Sequence, residues 1–178
     1  MAPSDRLPRL GQETYEQEGA DVIGYPTIEV QVEHDFDRAR RRAYARQVLN
    51  RLRRSGEPDR LLSFDEAKAS LAGWSQVYRG LQLVEVERIV GSVGRHKEFD
   101  SSFLPRRASL ETKWKRIDRA FHRAENLPPV SLYEVGGLYY VRDGNHRVSV
   151  ARFHGVPEIE AEVVQVRGLQ KPAHRAAA

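Results

Sequence analysis

The densest run of chemically capable residues is Asp143-Gly144-Asn145-His146-Arg147. It is entered from Tyr139-Tyr140-Val141-Arg142, which reads as a strand. It leaves through Val148-Ser149-Val150-Ala151, which reads as the body of a short helix, His146 to His154, stopped by Gly155. The first N–H groups of a helix have no intrahelical partner, and the helix dipole adds positive potential there. Such a terminus is suited to an anion. Gly144 removes a side chain that would hinder close approach, and the amides of Asn145, His146 and Arg147 supply donors. His146 and Arg147 are basic side chains in a first turn, where the dipole alone disfavours cations, and a bound anion would account for both. The alternative is that Asp143 caps the helix and the two side chains simply face water. Asp143 and His146 are the acid/base candidates of this run if the site performs chemistry.

Other chemistries find less support. The chain has no cysteine, which excludes disulfides, thiolate zinc sites and thiol catalysis. Its six histidines show neither HExxH spacing nor a paired-ligand pattern, so no metal site is expected. Gly91-Ser92-Val93-Gly94-Arg95 lacks the Gly-Lys-Ser/Thr ending of a Walker loop. Trp114 and Trp74 are expected in a core or an interface.

The elements that would position the loop follow from periodicity. Thr27–Val32 alternates and suggests a short strand. Phe36 to Arg54 has helical spacing, with Phe36, Ala39, Ala43, Tyr44, Val48 and Leu52 on one face and eight arginines elsewhere, ended by Ser55, Gly56 and Pro58. Ser63 to Glu66 is a capping box opening a short helix that stops at Gly73. Trp74–Gly80 reads as a connector and Leu83–Val90 as a strand. Ser109 would cap a long helix whose stripe is Leu110, Trp114, Ile117, Phe121 and Ala124. Pro128-Pro129 closes it. Val130–Val135 and Leu138–Arg142 form a hairpin around Gly136-Gly137. Ile159–Val166 is a last strand.

Length, 178 residues, and composition, 40% apolar and 30% charged, suit one domain with an extension. The expected division is a loose acidic arm (1–35), a helical basic extension (36–80), a compact domain (81–166) and a tail (167–178). The expected fold class is α+β, a compact mixed β-sheet with packed helices plus a helical, Arg-rich N-terminal extension. No apolar run approaches the roughly 18 residues of a membrane span, and residues 1–10 lack a signal core, so a cytoplasmic location without membrane contact is expected. Charge is segregated. Residues 1–34 carry seven acids against two bases, and residues 35–60 carry nine arginines against four acids. The basic side chains comprise 24 Arg and 5 Lys. The arginine helix, through Arg38, Arg40, Arg41, Arg42 and Arg46, is a candidate for DNA or RNA phosphates, or else a solvated or arm-covered face.

The run Asp-Gly-Asn-His-Arg, entered from Tyr-Tyr-Val and followed by Val-Ser-Val-Ala and a glycine, resembles the signature of the ParB/sulfiredoxin superfamily. ParB proteins carry a Gly-Glu-Arg-Arg type loop there, sulfiredoxins Gly-Cys-His-Arg, and related free-serine kinases an Asp-Gly-His-Thr-Arg type loop. The resemblance spans Leu83 to Val166 and is supported by the order of elements. It implies a loop that cradles nucleotide phosphates, with Gly144, Asn145, His146 and Arg147 lining them and Arg95 near the nucleotide. His96 and Asp100 are weaker candidates on the Arg95 loop. The cofactor it implies is a nucleoside triphosphate or diphosphate, with or without Mg2+. Sulfiredoxin's nucleophilic Cys and ParB's loop Glu both fall on Asn145. Sulfiredoxin activity is thereby excluded, and an amide is a poor magnesium ligand and no base. A stand-alone domain without the ParB helix-turn-helix region is implied.

Three functions compete. The first is a nucleotide-binding module or phosphotransfer enzyme, which predicts saturable binding of free nucleotide. The second is a nucleic-acid-binding or nuclease-like protein using the arginine helix, which predicts salt-sensitive binding of long polyanions. The third is a non-catalytic interaction domain, which predicts neither.

Overall fold

The computed structural model describes residues 26–52 and 59–170. The acidic arm to Tyr25, Arg53 and Arg54, the helix-ending Ser55-Gly56-Pro58 and the tail from 171 lie outside the described residues. The described chain is α+β: a six-stranded mixed sheet with packed helices, preceded by the long N-terminal helix.

That helix, α1, runs Ile28–Leu52. Thr27–Val32 is therefore no strand. The alternation in that hexapeptide is short, whereas Val32, Phe36, Ala39 and Ala43 extend a helical stripe through it and are buried. The Thr27 hydroxyl accepts from the Val30 amide at the helix start. Beyond Ala43 the stripe is no longer buried: Tyr44, Val48 and Leu52, expected on the same face, are exposed. Charge follows the same division. Glu29 and Glu33 in the first part of α1 pair with Arg119, Arg123 and Lys115. The arginines of the second half face solvent.

Ser63 caps α2 (Phe64–Ala69) as expected, its hydroxyl accepting from the Glu66 amide, after the two-residue strand β1 (Leu62–Ser63). Glu66, however, faces Arg60. Trp74–Gly80 is not a connector but part of β2 (Leu71–Glu85). Its alternation is hidden because most of its side chains are exposed, Trp74 among them, with the Lys68 ammonium over its ring. The expected strand Leu83–Val90 is split by a 3-10 turn at Val86–Arg88, after which β3 (Ile89–Ser92) begins.

A second 3-10 turn, Ala108–Leu110, leads into α3 (Glu111–His122). Strands β4 (Val130–Val135) and β5 (Leu138–Asp143) form the expected hairpin, with Gly136 and Gly137 both at positive φ. The helix α4 (Asn145–His154) ends at Gly155. The last strand, β6, runs Glu158–Gln170, further than its apolar alternation indicates because it pairs antiparallel with β2 almost throughout.

The sheet order is β1-β3-β5-β4-β6-β2. Pairs β1–β3, β3–β5 and β4–β6 are parallel; β4–β5 and β2–β6 are antiparallel. One core lies beneath the sheet, around Leu132, Val141, Val148 and Val163. A second joins the helices: Phe36, Ala39 and Ala43 of α1 meet Trp114 of α3 and Val150 of α4. Trp114 is fully buried, as its place on the α3 stripe requires. Its indole N–H donates to the Ser149 hydroxyl at 2.9 Å, and Ser149 donates to the Phe103 carbonyl at 2.5 Å.

Ser149 thus satisfies a buried donor and a buried acceptor together. Ser149→Ala is expected to cost about 1–3 kcal/mol, since the buried indole N–H would lose its hydrogen-bond acceptor. Urea unfolding followed by far-ultraviolet circular dichroism measures it.

Candidate functional site

Strand β5 turns into α4 at Gly144, whose φ of +103° is the left-handed region. A Cβ there would stand 2.7 Å from Val130 Cγ1 and 3.1 Å from Arg147 Nε. The glycine is therefore required by β4 packing and by its own backbone. The sequence reading assigned it to close approach by a ligand; in the structure its own neighbours already demand it. No side chain caps α4: Asp143 instead holds the Arg147 guanidinium at 2.7 Å. The first intrahelical bond runs from the Val148 amide to the Gly144 carbonyl at 3.0 Å, which leaves the amides of Asn145, His146 and Arg147 ahead of it.

These residues line a cleft of about 510 Å3. Its walls are Arg142 to Arg147, Lys113 and Arg116 from α3, Arg95 from the loop after β3, and Glu125, Leu127 and Pro128. The fold thus brings Asp143, Gly144, Asn145, His146, Arg147 and Arg95 to one cavity. Lys113, Arg116 and Arg142 join them without having been singled out in the sequence. Lys113 and Arg116 follow one another at i and i+3 on the exposed face of α3, a spacing visible in the sequence but indistinguishable there from a solvated face.

The roles within the cleft differ from the expectation. Arg147 is only 12% exposed and is spent on the protein: it donates to the carbonyls of Pro128 and Pro129 as well as to Asp143. It ties α4 to the Pro-Pro segment. Asp143, at 79% exposure, is the open member of that pair. His146 is largely buried, edge-on to Phe99 at 5.7 Å, with neither ring nitrogen hydrogen-bonded. Burial first, and then the charges of Arg95, Lys113 and Arg116, push its pKa down to about 4. It is a neutral imidazole near pH 7, not a cation at the helix start. Asn145 is buried too, with an unpartnered Oδ1. Arg95 pairs with Glu98 at 3.0 Å. Among the described residues Lys113, Arg116 and Arg142 form no ion pair, although Arg142 lies over the Tyr133 ring.

The weaker candidates lie elsewhere. Asp100 is fully buried and organises its own loop, accepting from the Ser102 and Leu104 amides at 2.8 Å each. Burial raises its pKa against those two hydrogen bonds. His96 is half-buried and outside the cleft lining. The α1 arginines Arg38, Arg40, Arg41, Arg42 and Arg46 are all exposed but differently engaged. Arg38 binds Asp35, Arg46 binds Ser102, and Arg41 donates to the Asp37 carbonyl. Arg42 lies over Phe153 and Arg40 near Phe36. None of the five lines the cleft.

The histidine spacing gave no metal pattern, yet the fold gathers His122 and His154 with Asp35 and Asp118 from three helices. The only sequence trace is Asp118 and His122 at i and i+4.

No protein-family profile matches the chain, and no curated protein is matched. Among solved structures the chain is similar to sulfiredoxin from Arabidopsis thaliana, at 22% identity and a TM-score of 0.35. That match covers 47% of this chain and 82% of the sulfiredoxin chain.

The state of His146 has a direct readout. Its folded pKa lies below the ordinary value of 6.5, so between about pH 6.5 and about 4 the unfolded chain binds more protons there. The stability it contributes is present above about pH 6.5 and lost as pH falls towards 4. In a proton NMR titration the His146 imidazole is expected to remain neutral at pH 5.5, and His146→Phe is expected to flatten the stability loss across that window.

Proposed function

We propose that the cleft at the start of α4 binds the phosphates of a nucleoside di- or triphosphate. The observation that carries this reading is the convergence of Lys113, Arg116, Arg142 and Arg95 on an uncapped helix N-terminus whose floor holds unpartnered, buried polar atoms of Asn145 and His146. Buried polar groups without partners are uncommon and call for a ligand or water. The two α3 cations make no ion pair among the described residues, and like charges grouped around a cavity are eased by an anion.

The shape of the neighbouring surface suits a nucleotide better than a bare phosphate. A second depression of about 270 Å3 shares Ile117, Leu127, Pro128 and Arg147 with the cleft and continues over Leu83, Phe121, Val150 and Ile159. A ligand with one anionic end and one flat apolar end would span both. Asn145 would offer its amide group and backbone N–H, and the neutral His146 one N–H donor and one acceptor. Asp143 is the open carboxylate at the rim and would be the one to meet a nucleotide's Mg2+, where the cation adds charge that the protein does not supply. The positions of Asp143 and His146 leave both available as acid/base groups. The reading itself concerns binding.

The second reading, polyanion binding along α1, is favoured by one observation: Arg38, Arg40, Arg41, Arg42 and Arg46 are all exposed on that helix. It would use a different surface and would show a steep salt dependence.

Calorimetric titration with ADP and ATP, with and without Mg2+, separates these readings. Wild type is expected to bind saturably. Lys113→Ala and Arg116→Ala remove exposed charges without touching the core, and each is expected to weaken binding by about one order of magnitude, roughly 1.5 kcal/mol for a charge-assisted contact. Arg147→Ala is expected instead to lower folding stability, because its partners are protein carbonyls. Unchanged affinity in the Lys113 and Arg116 variants would move the site elsewhere.

A further inference from the structure

Away from the cleft, three helices bring two imidazoles and two carboxylates together. Asp35 comes from the middle of α1, Asp118 and His122 from the last turns of α3, and His154 from the last residue of α4. One ligand atom from each lies within 4.8 Å of all the others. His122 Nε2 is 2.9 Å from Asp35 Oδ2 and 3.7 Å from Asp118 Oδ2. His154 Nε2 is 2.7 Å from Asp118 Oδ1. We propose that Asp35, Asp118, His122 and His154 form a binding site for a divalent transition-metal ion, with zinc as the best-suited occupant.

Counting protons shows why hydrogen bonding alone leaves the cluster incomplete. Both carboxylates are fully buried. Asp35 uses Oδ1 for the Arg38 guanidinium and Oδ2 for His122. Asp118 Oδ1 takes the His154 ring nitrogen, and Asp118 Oδ2, buried from solvent, has no hydrogen-bond partner. His122 Nε2 carries at most one proton and faces two carboxylate oxygens. Among the described residues the permanent cation hydrogen-bonded to either aspartate is Arg38, on Asp35. A buried carboxylate oxygen whose lone pairs meet no donor costs free energy. A metal ion would use that oxygen, replace the proton on each Nε2, and neutralise both charges.

The donor set and the surroundings match such an ion. Two imidazoles and two carboxylates favour borderline metals over Mg2+ or Ca2+, which prefer oxygen alone. Zinc bonds of about 2.0–2.1 Å place tetrahedral ligand atoms about 3.3 Å apart. The closest separations, 2.7 and 2.9 Å, lie below that value, and all four ligand atoms lie within 4.8 Å of one another, so binding would require the side chains to move apart or together by up to about 1.5 Å. Both histidines stand at the last residue of their helices, where the dipoles present negative potential to a cation. Outer contacts fix the ligands in place: Arg38 holds the other oxygen of Asp35, and Phe121 stacks on the His154 ring at 4.2 Å and 14°. The two histidine side chains, 15% and 16% exposed, leave the ion a route in.

The ion would clamp α1 to α3 and α4. It would add to the Phe36–Trp114 packing that already docks the arginine-bearing helix.

The test uses the full-length chain without an affinity tag, stripped with chelator and then titrated with Co2+ and Zn2+. Co2+ is expected to develop the visible absorption bands of a four-coordinate nitrogen and oxygen site at one equivalent, and excess Zn2+ to bleach them. Zinc is expected to raise the melting temperature by several degrees. His122→Ala/His154→Ala is expected to weaken binding at least about a hundredfold and to abolish that rise. Asp118→Asn, which keeps size and fold, is expected to weaken it as well, while His34→Ala, an exposed histidine outside the cluster, leaves it unchanged. Wild type without cobalt bands or a zinc-induced rise would overturn the proposal even if the double variant did not fold. Equal affinity in Asp118→Asn and His34→Ala would overturn it too.

Discussion

The candidate cleft and the packing of α4 both depend on a single backbone conformation, the left-handed Gly144 between β5 and α4. Any other residue there would both strain the backbone and drive a Cβ against Val130. With glycine in place, α4 departs from the sheet in one direction only. Its N-terminus then opens on the cleft beside Lys113 and Arg116. Its body packs Val150 against Trp114, and its last residue, His154, reaches Asp118. One turn of chain sets three environments.

Helix α3 is the complementary element, because each of its faces serves a different neighbour. Trp114 fills the space between α1 and α4; Lys113 and Arg116 face the cleft; Lys115 and Arg119 meet the acidic start of α1; Asp118 and His122 meet Asp35 and His154. Two buried aspartates at an interhelical seam are expensive unless compensated, and Asp35 and Asp118 lie where α1 is anchored. The cleft makes the opposite demand, gathered positive charge that an anion would relieve. The cleft and the Asp35–Asp118 cluster are thus opposite in sign and lie on different sides of the packed α3–α4 pair.

Much of this was legible in the residues. The Gly136-Gly137 hairpin, the Ser63 cap, the first part of the α3 stripe (Leu110 and Trp114) and the loop before α4 follow from local rules, whereas Ser109 caps nothing, Phe121 is exposed and Ala124 lies past the helix end. The α1 start was misjudged because six alternating residues mimic a strand while their burial is decided by α3, far away in sequence. The strand β2 was hidden because an exposed edge strand lacks apolar alternation. At the site, the sequence points to Asp143 to Arg147 and Arg95 but not to Lys113, Arg116 or Arg142, nor to what any of them faces. Nothing local says that Arg147 would meet the Pro128 and Pro129 carbonyls, or that Phe99 and three cations would hold His146 neutral. The four-residue cluster was invisible for the same reason, since its members come from three helices and only the Asp118–His122 pair shares one.

The central claim, a phosphate-binding helix start, is tested most directly by watching the amides that would donate to it. In a nitrogen–proton correlation spectrum of the labelled protein titrated with ADP, the account predicts the largest saturable shifts at Asn145, His146 and Arg147, with smaller ones at Lys113 and Arg116. Shifts confined to the arginines of α1, or no saturable shift at the start of α4, would contradict it.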